Sequence, residues 1–439
     1  MKLKFVKLNG LFFLILFVLF SCSKDPETII ETVEVVKEVE VTVTETVTVE
    51  VDPFADSTLE GVLTSDKTLS SDKIWLLKGR VVVGDGATLT IPAGTVIKAE
   101  PGSGADASTL IVARGGKIDA KGTASKPIIM TAKADNIQAD GTYPATGASL
   151  TVNSRGLWGG LLVLGKAPSS FKGDVSELQI EGIPVSDTNG LYGGSVSDDN
   201  SGTMQYISIR HGGAEIGEGN EINGLTLGGV GSGTVIDHIE VIANVDDGIE
   251  FFGGTVNASY LLVWGQGDDA LDIDQAYSGT IDDAYVILED ASDHGMEIDG
   301  PEGSAAGSFT VKNVTIDGAS KSGKALGVDG EIADFRKAAT GSLSNIYAFD
   351  FVKGKDVELD ADADSQSYTA GTLTFANWDI QFAVGAEGSI SDVFVDKSSI
   401  GSTFTTDAAS FAEIVTAKKD DAGATNSEYT WTRWYAVNN

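Results

Sequence analysis

Short apolar segments recur at intervals of about two dozen residues between residues 60 and 400. Ile239–Val241 is followed 22 residues later by Leu261–Val263, and 24 residues after that by Tyr285–Ile287. A second series comprises Gly224–Leu227, Gly248–Phe251, Ala270–Ile273, Gly295–Ile298 and Ala325–Val328. Each interval has room for two short strands but contains no amphipathic helix, which excludes βαβ units. The pattern therefore predicts an all-β fold, a right-handed parallel β-helix in which each coil stacks on the preceding one.

The repeats and the two ends of the chain predict four segments. These are a signal peptide at residues 1–21, an extended tether at 22–56, the β-helix at 57–405 and a C-terminal cap at 406–439. A cap is expected because the open end of a stack of strands pairs with other chains unless it is covered. Within it, Phe411, Ile414 and Val415 have helix-like spacing.

Two stretches between the repeats, residues 134–156 and 167–203, are longer than a turn requires. Loops of this length are usually functional or disordered. We expect the aromatic residues Phe171, Tyr192 and Tyr277 to contribute to a rim that faces a glycan.

The first residues have the features of a secreted lipoprotein. Three lysines precede the apolar run Leu11–Phe20, which is too short to span a membrane and predicts a signal peptide. Leu19–Cys22 resembles a bacterial lipobox, which implies lipidation of Cys22 and attachment to the outer membrane by that anchor. Ser23–Glu27 resembles the export signal of Bacteroidota lipoproteins, which implies a position on the cell surface.

From Ile29 to Val51, Val and Ile alternate with Thr and Glu. A period of two is typical of extended chain and not of a coiled coil. Because no partner strand is evident, we expect a single extended tether whose charged residues prevent aggregation.

Composition excludes several classes of partner and cofactor. The 439 residues include 64 acidic and 30 basic side chains, a formal net charge of -34. Such a protein repels phosphate backbones, so nucleic acid is excluded as a partner. Cys22 is the only cysteine, which excludes an intrachain disulfide and a thiolate metal cluster.

Three segments in the middle of the chain resemble a known family. Tyr206–Gly213, Asn220–Thr234 and Asp246–Thr255 are similar to the β-helix surface lipoproteins of Bacteroidota, within the wider pectin-lyase-like architecture. The resemblance covers most of residues 60–400 and implies a parallel β-helix. It implies no single activity, because this architecture carries many.

Fourteen acidic residues and no Lys or Arg lie between Asn244 and Gly300. Alignment of the coils predicts three ladders of side chains: Glu250, Asp272 and Glu297; Asp274, Asp299 and Asp329; and Asn223, Asp247, Asp269, His294 and Lys324. In the first two ladders the intervening apolar residues face the core, so alternation turns the acids outward. Neighbouring carboxylates are then about 5 Å apart.

Carboxylates at this separation raise one another's pKa or bind a cation, and Ca²⁺ prefers several oxygen ligands. The candidate metal ligands are Asp247, Glu250, Asp269, Asp272, Asp274, Glu297 and Asp299. We therefore expect a cell-surface lipoprotein whose acidic face and loops bind a polysaccharide or another surface polymer, with Ca²⁺ as a cofactor.

Two other functions remain open. The first is polysaccharide cleavage, because Asp268, Asp269 and His294 resemble the acid pair and histidine of pectin-degrading glycosidases. A lyase of this architecture would instead need a base facing the cation, for which the nearby candidates are Lys321, Lys324, Arg336 and Lys337. The second is a structural stalk or adhesin, in which the same acids cap turns and keep the surface soluble.

Overall fold

A computed structural model describes residues 29–36, 42–49, 54–144, 147–215, 222–318, 331–352 and 354–438. The chain divides into two compact units, Met1–Asp56 and Ser57–Asn439. The predicted signal peptide and Cys22 lie outside the described residues. In the described part of the chain, no helix is long and apolar enough to cross a membrane.

In the first unit, β1 (Ile29–Val36) and β2 (Thr42–Val49) form an antiparallel hairpin. The prediction of a single unpaired tether is therefore wrong. Both halves of the segment carry the same alternation, so each half is the partner strand of the other. In the register of this hairpin Glu31 lies opposite Val47, Val33 opposite Glu45 and Glu34 opposite Thr44.

The second unit is a parallel β-helix, as predicted. Among the described residues its main sheet contains 24 strands, all paired in parallel. The strands are β3 (Thr58–Leu63), β4 (Lys67–Thr68), β5 (Ile74–Val83), β6 (Thr88–Pro92), β7 (Val96–Ala99), β8 (Thr109–Val112), β9 (Lys117–Lys121), β10 (Ile128–Ala132), β11 (Leu161–Leu164), β14 (Gly202–Arg210), β15 (Leu225–Gly228), β16 (Val235–Ile242), β17 (Ile249–Phe252), β18 (Asn257–Trp264), β19 (Leu271–Asp274), β20 (Thr280–Ile287), β21 (His294–Asp299), β22 (Phe309–Asp317), β23 (Glu331–Arg336), β24 (Gly341–Phe351), β25 (Val357–Leu359), β26 (Leu373–Phe382), β27 (Phe394–Asp396) and β28 (Ala412–Ile414).

A separate antiparallel pair, β12 (Leu178–Gln179) and β13 (Leu191–Tyr192), lies within the long loop 167–203. The α-helices are short and lie near the C-terminus: α1 (Asp362–Thr369), α2 (Ile390–Val393), α3 (Phe404–Asp407) and α4 (Arg433–Asn438).

From β14 onward the strands build two stacks, because each strand pairs with the second strand after it. We call β14, β16 and so on to β28 the even stack, and β15 to β27 the odd stack. In the odd stack, Leu227, Phe251, Ile273 and Ile298 lie in register and are at most 2 % exposed. These apolar side chains form the core and turn the residues between them away from it.

The prediction that Ala325–Val328 are the next repeat after Gly295–Ile298 is wrong, because β23 occupies that place. Residues 319–330 lie outside the described residues, and β21 pairs with β23. Ile298 therefore lies against Phe335, and Arg336 takes the position beside Asp299 that was predicted for Asp329. The interval between β21 and β23 is longer than the three intervals from β15 to β21, and the similarity of residues 325–328 to the repeat concealed this insertion.

The even stack bends at one position in each rung, where the backbone φ is positive. These residues form a corner ladder with φ between 50° and 67°: Tyr206, His238, Tyr260, Asp283, Asn313, Asn345 and Asn377. Asn and Asp tolerate this left-handed conformation better than most other residues. His238 stacks between Tyr206 and Tyr260, with ring centroids 4.1 and 4.5 Å away, and is therefore a packed residue.

The end of the β-helix differs from the expected helical cap. Residues 412–414 form β28, which pairs with β26 as the last rung of the even stack. The short helix α3 places the fully buried Phe404 against Phe375 and Phe394. Apolar spacing alone did not distinguish this strand and short helix from one longer helix, because the segment is short.

Residues 421–438, which we call the C-terminal segment, run back along the even stack. Tyr429 Oη donates a hydrogen bond to Asp283 Oδ1 at 2.7 Å. The backbone N–H of Trp434 donates to Glu240 Oε1 at 3.0 Å. The segment therefore covers the side of the β-helix.

The predicted aromatic rim is wrong. Phe171, Tyr192 and Tyr277 are 2, 1 and 1 % exposed. Phe171 packs edge to face on Tyr192, with ring centroids 5.2 Å apart, and Tyr277 packs against Phe251 in the core. Burial of these large rings stabilises the loop and the core, and this outweighs any role at the surface.

Candidate functional site

The predicted ladder of carboxylates is present. Glu250, Asp272 and Glu297 occupy adjacent positions on β17, β19 and β21. Two further members, Asp334 on β23 and Glu358 on β25, were missed in the sequence analysis. We call these five residues the acidic ladder. The apolar residues on either side of the two missed acids show the same alternation, and this signal is readable once the insertion before β23 is recognised.

The acidic ladder is not the open face that alternation predicted. Glu250, Asp272 and Glu297 are only 4, 8 and 9 % exposed. The loop 167–203 reaches this region through Glu181, because Asn223 Nδ2 donates to Glu181 Oε1 at 3.3 Å and also to Glu250 Oε2. Alternation directs these side chains away from the core, but it does not reveal a loop that folds over them.

The third predicted ladder joins successive turns. Asp247 N–H donates to Asn223 Oδ1 at 3.3 Å, Asp269 N–H to Asp247 Oδ1 at 2.9 Å, and His294 N–H to Asp269 Oδ1 at 2.8 Å. Lys324, the expected next member, lies outside the described residues. These oxygens stabilise the turns, which is the role that a purely structural function assigns to them.

Three buried carboxylates from the two ladders converge. Asp247, Glu250 and Asp272 each offer one oxygen, and the three oxygens lie within 4.8 Å of one another. Since Ca²⁺ binds oxygen at about 2.4 Å, two ligands on opposite sides of the ion are about 4.8 Å apart, so this spacing fits. We call these residues the carboxylate trio.

Within the described residues, no lysine, arginine or histidine forms an ion pair with the carboxylate trio. Burial, together with the charges of neighbouring carboxylates, raises the pKa of Asp247, Glu250 and Asp272 well above the ordinary values of these groups. Asp272 Oδ1 is buried and has no hydrogen-bond partner in the described part of the chain. A buried polar atom without a partner is rare and costly, and a bound ion is one explanation for it.

The neighbouring acids, in contrast, are paired with cations of the chain. Arg336 Nε donates to Asp299 Oδ1 at 2.8 Å, and its Nη2 pairs with Glu297 Oε1. Lys337 Nζ lies 2.5 Å from Asp299 Oδ2 and 4.0 Å from Asp274 Oδ1. Burial raises the pKa of Asp274 to about 7, and the charge of Asp299 adds to this shift.

His294 lies between the turn ladder and the acidic ladder. Its Nδ1 is 2.7 Å from Asp269 Oδ1 and 3.8 Å from Glu297 Oε2, and its Nε2 is 3.8 Å from Glu331 Oε2. Burial opposes protonation, but the hydrogen bond and the charge of Asp269 raise the pKa of His294 to about 9. The imidazolium of His294 therefore donates a hydrogen bond from Nδ1 to Asp269 at neutral pH. Asp269, one of the predicted metal ligands, thus already has a positively charged partner.

The residues of the predicted catalytic group also come together. Asp268 is exposed on the turn before β19, and one oxygen each of Asp268, Asp269 and Asp293 lie within 4.8 Å of one another. Partial burial and the charge of Asp269 raise the pKa of Asp268 to about 6. A carboxyl group that titrates near neutrality, next to the imidazolium of His294, is suited to proton transfer.

The candidate bases of a lyase are less suitable. Lys321 and Lys324 lie outside the described residues. Burial opposes the charge of Lys337, but its hydrogen bond with Asp299 and the charge of Asp274 raise its pKa above the ordinary value. A lysine held protonated in this way is a poor base.

One further acidic cluster was missed in the sequence analysis. Glu331, Asp356 and Glu358 each offer an oxygen within 4.8 Å of the others. Lys397 Nζ pairs with Glu358 Oε2, so this cluster has a positive partner.

Comparisons with known proteins agree with the fold. The family model described as a pectate-lyase-like beta helix domain matches residues 61–436. Among curated proteins, no sequence matches the chain.

Two solved structures are similar to the chain at low identity. A pectin methylesterase from Aspergillus niger is 12 % identical, with 86 % of this chain and 100 % of that chain covered and a TM-score of 0.32. The catalytic unit of a GH87 α-1,3-glucanase from Streptomyces thermodiastaticus is 12 % identical, with 78 % of this chain and 64 % of that chain covered and a TM-score of 0.28. At these values neither neighbour indicates an activity for this chain.

The raised pKa values predict that the metal-free protein loses stability as the pH rises. An unfolded Asp releases its proton near pH 3.9, whereas folded Asp274 keeps its proton up to about pH 7, so the stabilisation from protonated Asp274 declines between these values. Protonated His294 contributes in the same direction, because its stabilisation is complete below about pH 6.5 and is lost as the pH rises through about 9.

We therefore expect the melting temperature in EDTA to be lower at about pH 8 than at about pH 5. Asp274→Asn should reduce this difference, whereas Asp85→Asn, which changes a side chain that is 81 % exposed, should not. A melting temperature that rises over this interval in the wild-type protein would contradict the assignment.

Proposed function

The chain belongs to the pectate-lyase-like β-helix family, and on that premise we propose that it is a cell-surface carbohydrate-binding protein that holds Ca²⁺ in the carboxylate trio. The observation that carries the proposal is the buried, unpartnered Oδ1 of Asp272 beside Asp247 and Glu250. A divalent cation there would satisfy this oxygen and offset the burial and the repulsion that raise the pKa of all three acids.

The chemistry of the carboxylate trio favours Ca²⁺ among common cations. All the ligands are oxygens, and Ca²⁺ accepts six to eight of them in flexible geometry, whereas Mg²⁺ requires a near-ideal octahedron. Some trio oxygens are already used in hydrogen bonds, since Asp247 Oδ1 accepts from Asp269 N–H and Glu250 Oε2 accepts from Asn223. The carboxylates therefore leave coordination positions for water or for hydroxyl and carboxylate oxygens of a glycan.

The positive charges around the site indicate one cation per chain. Arg336 and Lys337 pair with Glu297 and Asp299, and His294 pairs with Asp269. Among the described acids of the three predicted ladders, only those of the trio have no positively charged partner. A second divalent ion would therefore have to displace Arg336, Lys337 or His294 from its carboxylate.

The first prediction of this proposal concerns Ca²⁺ itself. Isothermal titration calorimetry should give one Ca²⁺ per chain. EDTA should lower the melting temperature at neutral pH, because the three carboxylates repel one another once the ion is removed. Asp272→Asn should abolish both effects, whereas the exposed Asp85→Asn should preserve them.

On a glycan array, the wild-type protein should be retained less in EDTA than in Ca²⁺, and the Asp272→Asn variant should be retained less than the wild-type protein. A melting temperature that does not respond to EDTA would remove Ca²⁺ from the proposal.

Polysaccharide cleavage is a second candidate function, favoured by Asp268. Its raised pKa and exposure allow it to donate a proton to a leaving group, while Asp269 and the imidazolium of His294 lie beside it. Cleavage by two carboxylates requires one protonated and one ionised group, and this turn provides such an environment.

Cleavage predicts release of reducing ends from a polysaccharide, which reducing-sugar assays on neutral and uronic acid polymers would detect. Asp268→Asn should abolish the release and leave binding on the array intact, because the carboxylate trio is unchanged. Asp420→Asn is a control for the loss of one exposed charge. If the wild-type protein retains a polymer without releasing any product, this candidate is eliminated.

A lipid anchor completes the proposal and rests on the resemblance of Leu19–Cys22 to a lipobox. In a Gram-negative host, Cys22→Ser should lose metabolic labelling with palmitate, and the protein should move from the membrane fraction to the soluble fraction. Ser21→Ala keeps a small residue before the cysteine and should remain anchored. Digestion by protease added to intact cells tests surface exposure, and an anchored but fully protected protein would contradict that part.

A further inference from the structure

A polar cleft lies at the C-terminal end of the even stack, far along the solenoid from the carboxylate trio. It has a volume of about 840 Å³, which is within the usual range of about 300–1,000 Å³ for small-molecule sites. Its walls are the end of the corner ladder, the last rung and the chain that leaves it. Its lining includes Asn377, Asp379, Phe411, Glu413, Lys419 and Asp421.

The corner ladder ends in this cleft. The side-chain amide of Asn345 uses both its nitrogen and its oxygen in hydrogen bonds. Its Nδ2 donates to Asn313 Oδ1 at 2.8 Å and to the Asp421 carbonyl at 3.0 Å. Its Oδ1 accepts from Gly423 N–H at 3.1 Å. Asn377 is the next member, and its exposed side chain has no hydrogen-bond partner in the described part of the chain. Its amide therefore offers a donor and an acceptor at the wall of the cleft.

Two acids of the last two rungs are held in place by one lysine. Asp379 and Glu413 are in register, and Lys419 Nζ lies 2.7 Å from Asp379 Oδ1 and 2.6 Å from Glu413 Oε1. The Asp379 side chain is 10 % exposed and that of Glu413 is 65 % exposed. Lys419 thus fixes a nearly buried acceptor and an open acceptor side by side, with an ammonium group between them.

The chemistry of the lining selects the class of ligand. Three acids and one lysine repel a polyanion, which excludes uronic acid polymers and phosphates. The mainly polar wall excludes lipids. Sugar hydroxyls both donate and accept, so they match an alternating set of amide, carboxylate and ammonium groups, while the partly buried ring of Phe411 offers an apolar surface.

We infer that this cleft binds a neutral oligosaccharide through Asn377, Asp379, Glu413 and Lys419, without Ca²⁺. The inference does not depend on the function proposed above. The carboxylate trio lies on the odd stack and its turns, whereas the cleft is built from the even stack and the chain after it. Failure of Ca²⁺ binding would therefore leave this site intact, and the reverse also holds.

The test is isothermal titration calorimetry of the full-length protein in EDTA. The probes are cello-, malto-, xylo- and manno-oligosaccharides, with oligogalacturonate as the anionic comparison and oligolysine as the peptide comparison. At least one neutral probe should bind, and oligogalacturonate should not bind at this site. Asn377→Gly keeps the positive φ without strain and should weaken binding by about three- to tenfold, as should Glu413→Gln.

Asp420→Asn is the matched control, because it removes one exposed acid that does not line the cleft, and it should bind as the wild-type protein does. Unchanged melting temperatures should accompany both test variants. The inference is overturned if no neutral probe binds, if oligolysine binds in place of a sugar, or if Asn377→Gly and Glu413→Gln bind as tightly as the wild-type protein.

Discussion

The parallel pairing of successive coils determines where every functional group of this protein lies. Hydrogen bonds between equivalent strands place equivalent residues one strand spacing apart, about 4.8 Å. A repeated apolar residue then builds a continuous core, as Phe251 and Ile273 do, and a repeated acid builds a row of like charges. The same constraint that makes the fold stable therefore creates its main electrostatic problem.

The chain relieves this repulsion in two ways along one side of the solenoid. Asp247 and Asp269 accept backbone N–H groups of the next rung, so their charges stabilise the turns. Asp299 is paired with Arg336 and Lys337 on neighbouring coils. Asp272 has neither kind of partner at its Oδ1 within the described residues. A buried charge without compensation costs several kcal/mol, so this position is where an external cation has the most to contribute.

Sequence reasoning predicted the features that depend on regular spacing and missed those that depend on interruptions. Glu250, Asp272 and Glu297 could be aligned because the intervals between them are nearly constant. Asp334 was missed because a long insertion precedes β23. The burial of the ladder depends on a loop that follows no period. The hairpin at residues 29–49 depends on pairing between two halves of one pattern, which periodicity alone does not show.

The surfaces left open by the rest of the chain determine where ligands can approach. The C-terminal segment crosses the even stack from Asn345, which binds Gly423 N–H, to Glu240, which binds Trp434 N–H. It therefore engages the corner region of successive rungs, whereas the side chain of Asn377 is exposed. On the odd stack the loop 167–203 reaches the ladder near Glu250. Two stacks that share one core thus present chemically different sites, one a buried set of carboxylates suited to a cation, the other a mixed polar cleft suited to uncharged hydroxyl groups.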